Sequence, residues 1–274
     1  MIKKTLYFGN PVYLSLRNAQ LVIKLPEIVK NDTLPDGFKQ QSEVTKPIED
    51  LGVVVLDNKQ ITITSGVLEA LLENNCAIIT CDSKSMPVGL MLPLYGNTTQ
   101  NERFRQQLDA SLPLIKQLWQ QTVRMKIENQ AAVLKKCAGE EVKCMTIWAA
   151  DVKSGDSDNL EARAAAYYWK NLFKIEGFTL GIHHHNRYNA YCLADDIMEP
   201  YRPYVDELVY KILQEEINCD ELTKGLKAQL LTIPTLEVVI SGKRSPLMVA
   251  VGQTTASLYK CFSGELRRII YPEM

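Results

Sequence analysis

SGDSDNLEARAA (Ser154–Ala165) and, a short connection later, LGIHHHNRYNAYCLADDIMEPYRP (Leu180–Pro203) carry the densest chemistry of the chain, and the rest is read outward from them. The three histidines of the protein, His183, His184 and His185, stand side by side there. Carboxylates flank them, Glu161 upstream and Asp195, Asp196 and Glu199 downstream. Oxygen donors with one imidazole suit Mg²⁺ or Mn²⁺, and the imidazole tilts the choice toward Mn²⁺. A zinc site would call for H-E-x-x-H or paired C-x-x-C spacing, and the chain has neither.

Spacing says how such a site closes. Ser154, Asp156, Ser157, Asp158 and Asn159 offer caps ahead of the helix-forming run Ala162–Tyr168, which places Glu161 in the first turn of a helix. Asp195 and Asp196 precede Glu199 by four and three residues, so each shares a helical face with it. His184 lies fifteen residues before Glu199. On one straight helix that separation is about 22 Å, so the histidines belong to a bend or loop ahead of the helix. Asn186 and Asn189 are caps for it, and Pro200 and Pro203 end or kink it. By themselves the same letters also read as a polar loop of histidines and a solvated acidic helix face.

With 274 residues, 46% hydrophobic and 23% charged, the chain has enough material for two domains of ordinary composition. The N-terminal MIKKTLYFGNPVYLSL is broken by Gly9, Asn10 and Pro11 and does not read as a signal peptide, and no apolar run reaches membrane-spanning length. Seven scattered cysteines fit reduced thiols, small buried hydrophobes in a cytoplasmic protein.

Residues 1–95 read as mostly strand: Lys3–Phe8, Tyr13–Arg17, Gln20–Lys24, Val53–Leu56, Gln60–Thr64, Ala77–Cys81 and Val88–Leu92, with a short helix capped by Ser65. Val53–Leu56 and Gln60–Thr64 are expected to pair as a hairpin, and Asn31–Thr45 to be a loop. Such a run suggests a β-sandwich-like domain. From Glu102 the period turns helical, with Phe104, Leu108, Leu112, Ile115, Leu118, Trp119, Val123, Ile127, Ala131 and Leu134 recurring at three and four. Helical patterns return through Tyr167–Phe173, Val205–Ile217 and Leu247–Ile270. The fold class is therefore α+β: a β-sandwich-like domain over residues 1–95, followed by an all-α domain over residues 96–274.

The net charge of −1 does not announce a nucleic-acid binder. Locally, residues 103–144 carry eight basic side chains (Arg103, Arg105, Lys116, Arg124, Lys126, Lys135, Lys136 and Lys143) against four acidic ones. Lys260, Arg267 and Arg268 form a second patch. Basic side chains that track phosphates supply most nonspecific DNA affinity, and these strips are candidates for that role.

The pattern E-x-x-A, then G-I-H-H-x-N, then L-A-D-D-x-M-E-P-Y-R-P resembles the CRISPR-associated integrase of the spacer-acquisition complex, most of all its type II members, nearly end to end. The resemblance implies that Glu161, His184 and Glu199 ligate Mg²⁺ or Mn²⁺, with Asp196 a further acid beside the ion. It implies attack of a DNA 3′-hydroxyl on a phosphodiester at the CRISPR repeat boundary. It also implies dimerisation through the N-terminal domain, double-stranded DNA as substrate, and assembly with a small dimeric CRISPR-associated protein and other adaptation proteins. A metal-dependent nuclease without an integrase role and an inactive DNA-binding scaffold are the rival readings.

One departure stands out. Family members have room for a further helix pair before G-I-H-H, whereas here only Lys174–Thr179 follows Phe173. Six residues span at most about 21 Å, barely enough to return along a helix about 20 Å long. The chain is either truly shortened there or lacks a segment. The intact motifs on both sides favour the second, which predicts a Cα step well beyond about 3.8 Å in that connection.

Overall fold

The structure, a computed structural model, describes residues 3–30, 43–94, 99–173, 197–215 and 223–274, with isolated positions between 34 and 39. His183, His184, His185, Asp195, Asp196 and the Lys174–Thr179 connection lie outside the described residues. The chain divides into two compact units, Met1–Thr98 and Thr99–Met274.

Two four-stranded sheets build the first unit. In one, β1 (Lys4–Phe8), β5 (Leu51–Leu56) and β7 (Ala77–Cys81) run parallel, and β8 (Pro87–Met91) closes the row antiparallel to β7. In the other, β2 (Tyr13–Arg17) and β3 (Gln20–Lys24) form a hairpin, flanked by β4 (Val44–Pro47) and β6 (Thr62–Ile63). Asn18 and Ala19, with φ of 51° and 57°, make the two-residue turn whose twist matches the hairpin strands. A short helix, α1 (Pro26–Val29), follows β3, and α2 (Ser65–Glu73) carries the chain from β6 to β7. Val12, Leu14 and Leu21 meet Leu51, Val54 and Ile78, with Val67 and Leu71 of α2, in one buried cluster.

Two local expectations fail here. Val53–Leu56 and Gln60–Thr64 do not pair: both edges of β5 are taken by β1 and β7, so the next segment joins β2 in the other sheet. The end of the expected Asn31–Thr45 loop is strand, because the β-prone Val44 and Thr45 lie along Ile23 and Val22.

The second unit is largely helical: α3 (Gln100–Leu108), α4 (Leu112–Val133), α5 (Lys143–Asp151), α6 (Leu160–Leu172), α7 (Arg202–Glu215), α8 (Lys224–Leu230) and α9 (Leu247–Phe262). To these the structure adds a three-stranded sheet of β9 (Glu237–Ile240), β10 (Lys243–Pro246) and β11 (Pro272–Glu273), in the order β10-β9-β11. The 22-residue α4 is the axis of the unit. Its Ser111 Oγ accepts from Leu114 N at 3.4 Å, and Pro113 in the first turn starts the helix, where a missing N–H costs nothing. Trp119, Val123, Ile127 and Ala131 pack against Met145 and Ala149 of α5 and Leu160, Ala164 and Tyr168 of α6. Leu118 faces a separate cluster of Tyr201, Tyr204, Val238, Ile240, Ala250 and Leu258. Among the described residues no helix is long and apolar enough to cross a membrane.

Candidate functional site

Glu161 is positioned by the turn that precedes α6. Of the five candidate caps, Asp156 is the one that bonds the helix start: its two carboxylate oxygens accept from Leu160 N at 2.8 Å and Glu161 N at 3.1 Å. Asp156 is only 1% exposed. Asn159 takes a left-handed conformation (φ 56°) and its side chain does not cap. Gly155, at φ 74°, donates its N–H to Lys116 O, which pins the turn to α4.

Glu199 opens a short 3-10 turn, Glu199–Tyr201, that runs directly into α7. Pro200 and Pro203 thus begin helical segments rather than end one, since first-turn positions need no N–H donor. Asn129 of α4 holds this turn, its Nδ2 donating to Pro200 O at 2.8 Å and Pro272 O at 3.1 Å.

Between the two glutamates lies Lys126 of α4. Its Nζ is 2.6 Å from Glu161 Oε1 and 2.5 Å from Glu199 Oε2, while Arg202 Nε meets Glu199 Oε1 at 3.0 Å. Lys126 and Glu199 are 9% and 5% exposed. Burial pulls the lysine down, but Glu161 and Glu199 outweigh it and hold the ammonium above its ordinary pKa. Lys126 therefore leaves the basic strip to which its place in the sequence assigned it: it sits on the buried side of α4 with Thr122, Val123 and Ile127.

Two helical turns beyond each glutamate, a second link joins the same helices. Tyr168 OH of α6 donates to Asp206 Oδ2 of α7 at 2.9 Å. Burial pushes Asp206 up to about 6, opposed by the Tyr168 hydrogen bond and Arg202 and reinforced by Glu199. The buried Tyr168 phenol is pushed far above its usual range.

Glu161 and Glu199 are brought together and His184 lies outside the described residues, so two of the three expected donors converge. Among the described residues no group of three or more His, Cys, Asp or Glu forms a metal cluster. Two carboxylates that both reach one nitrogen face each other across the width of one cation, and their oxygens are the donors that Mg²⁺ and Mn²⁺ take. The expected donor set fits on that ground. Sequence reasoning missed Lys126, Arg202, Asp206 and Tyr168; the one visible signal was a lysine on the apolar stripe of α4.

The remaining basic side chains are more exposed. Arg124 pairs with Glu128 at 3.1 Å and Lys136 with Glu207 at 2.8 Å. Gln121 of α4 donates to Arg267 O at 3.2 Å and accepts from Ile269 N at 2.9 Å, which brings the C-terminal basic segment alongside α4.

Solved structures share this succession of a β-rich unit and a helical unit. A casposase bound to integration product matches with a TM-score of 0.69 at 16% identity, over 98% of this chain and 92% of that one. A Cas1 protein from Thermotoga maritima matches with a TM-score of 0.68 at 13% identity, over 99% of this chain and 100% of that one. In sequence, the family described as CRISPR associated protein Cas1 matches residues 8–177 and 178–242. The CRISPR-associated endonuclease Cas1 of Neisseria meningitidis serogroup C (strain 8013) is 30% identical over 292 positions, covering 94% of this chain and 91% of its own. The chain belongs to the Cas1 family, and it is a homologue of the CRISPR-associated endonuclease. The 292 aligned positions outnumber the 274 residues of the chain, so the Neisseria protein carries residues that this one does not. The family match divides between 177 and 178, within the Lys174–Thr179 connection.

Proposed function

We propose that the protein joins new spacer DNA to a CRISPR array, by attack of a DNA 3′-hydroxyl on a phosphodiester at the repeat boundary. The observation that carries this reading is the convergence of Glu161 and Glu199 on a single cation position. With His184 they would hold Mg²⁺ or Mn²⁺, which when bound supplies Lewis-acid polarisation of the scissile phosphate. Glu161 and Glu199 orient the site, Arg202 fixes Glu199, and the DNA end brings its own nucleophile. A direct transesterification needs no serine or cysteine in the site.

Double-stranded DNA, a second copy of the chain and a small dimeric CRISPR-associated protein are the proposed partners. In support, one fold relative is bound to an integration product. Another, a Cas6-RT-Cas1–Cas2 complex, matches with a TM-score of 0.63 at 15% identity over 97% of this chain and 35% of that one. The edge strand β8 leaves Val88 and Leu90 66% and 60% exposed, an apolar edge in keeping with dimerisation through the first unit.

The test is incubation of fluorescent DNA ends with a repeat-bearing plasmid and Mn²⁺, with and without the partner protein. Glu161→Ala and Glu199→Ala should each slow joining at least about 100-fold, since several kcal/mol of charge stabilisation is lost. DNA binding should persist. His184→Ala should cost more than His183→Ala or His185→Ala. Joining at near-parent rate by either glutamate variant would overturn the assignment, and cleavage without joining by the parent would favour the nuclease reading.

A further inference from the structure

Lys126 has a role that the DNA-binding strip does not explain. It stands on the inward stripe of α4, where a charge persists only if it is paired. Its partners come from two other elements: Glu161 from the first turn of α6, and Glu199 from the 3-10 turn leading into α7. One ammonium thus ties three segments of the chain. Without a cation between them, two carboxylates at that separation would repel in a poorly solvated site.

The same two oxygens are the proposed donors for the divalent ion. Mg²⁺ binds oxygen at about 2.0–2.1 Å, so an ion bridging both carboxylates would overlap an ammonium already 2.5 and 2.6 Å from them. Lysine suits an occupant that can leave: a compact point charge on a flexible four-carbon stem, without the rigid two-pronged grip of arginine. Arg202, by contrast, holds the other oxygen of Glu199 and need not move for an ion to bridge.

We propose that Lys126 is an internal counter-cation that keeps Glu161 and Glu199 facing each other and is displaced when a divalent ion binds, so that it sets the affinity of the site for that ion. Lys126 is on this account a positioning residue. Once displaced, its ammonium stays within a stem's length of the ion, placed to meet a phosphate oxygen of the DNA. The inference rests on the proposed ligand role of the two glutamates.

The test is Mn²⁺ titration by calorimetry, together with melting in EDTA and in saturating Mn²⁺, for the parent, Lys126→Met, Lys126→Arg, Glu161→Gln and Glu199→Gln. Lys126→Met should bind Mn²⁺ about tenfold or more tightly, melt lower than the parent in EDTA, and recover in Mn²⁺. Lys126→Arg, which keeps the charge, should not gain affinity. In the parent, the NMR signal of the Lys126 side chain should shift on Mg²⁺ titration with the midpoint of ion binding, a measurement that stands even if Lys126→Met does not fold in EDTA. Unchanged or weaker Mn²⁺ binding by Lys126→Met, or a Lys126 signal indifferent to Mg²⁺, would overturn the proposal. If Glu161→Gln and Glu199→Gln keep the parent's affinity, the ligand assignment itself fails and the proposal with it. If they lose affinity while Lys126→Met gains none, only the lysine's role fails.

Discussion

Asp206 shows how one buried side chain near the site makes stability depend on pH. Burial raises it to about 6, and Tyr168, Arg202, Glu199 and Lys126 are the groups that act on it. In the unfolded chain an aspartate titrates near about 3.9. Between these values the folded protein keeps a proton that the unfolded chain has released. The stability Asp206 contributes at low pH is therefore lost as pH rises through about 6. Asp206→Asn keeps an acceptor for Tyr168 but cannot titrate. Denaturant unfolding at a series of pH values should show it gaining on the parent, by on the order of 2 kcal/mol from about pH 4.5 to 7.5; a difference flat with pH would mean that Asp206 is ionised throughout. Glu161 and Glu199 were legible in the sequence because a capped helix start and a motif mark them. Lys126, Tyr168 and Asp206 were not, because their partners lie tens of residues away and depend on which helix faces which.

The start of α6 is the element on which the site most depends. Asp156 satisfies two of the N–H groups that a helix start leaves unpaired, and one belongs to Glu161 itself. Asp156→Ala should lower stability by about 1–2 kcal/mol in denaturant unfolding and weaken Mn²⁺ binding, because Glu161 loses its fixed backbone. Parent-like values for both would show that other groups take over the cap. Local signals of this kind carried most of the helices: the three-and-four spacing of α4 and the cap run before α6 both produced helices where expected. Strand partnership escaped the same reading. Nothing in Val53–Leu56 says that β1 and β7 take both its edges, and Glu237–Ile240 becomes a strand only because Pro272 and Glu273 return beside it. The prolines at 200 and 203 misled for a related reason: proline is suited to the first turn of a helix as well as to its end, and only the fold decides which.

At the scale of the whole molecule, a net charge of −1 gives no general attraction to DNA, so affinity has to come from local patches. The structure redistributes those patches. Lys126 is withdrawn into the glutamate pair, and Lys136 is engaged by Glu207. Arg267 and Arg268 are exposed, and Gln121 anchors their segment to α4 one turn from Arg124. Each phosphate neutralised by a basic side chain releases counterions and adds close to one unit to the dependence of log affinity on log salt. Arg267→Gln combined with Arg268→Gln should therefore weaken binding of any duplex sequence and lower the salt slope by up to about two units. Lys126→Gln should leave that slope nearly unchanged in the absence of divalent ions, because its charge is already spoken for by two carboxylates. Fluorescence anisotropy of a labelled duplex over a salt series, in EDTA, measures both. A slope reduced by Lys126→Gln and indifferent to the arginine pair would put the DNA over the glutamates rather than along the C-terminal segment.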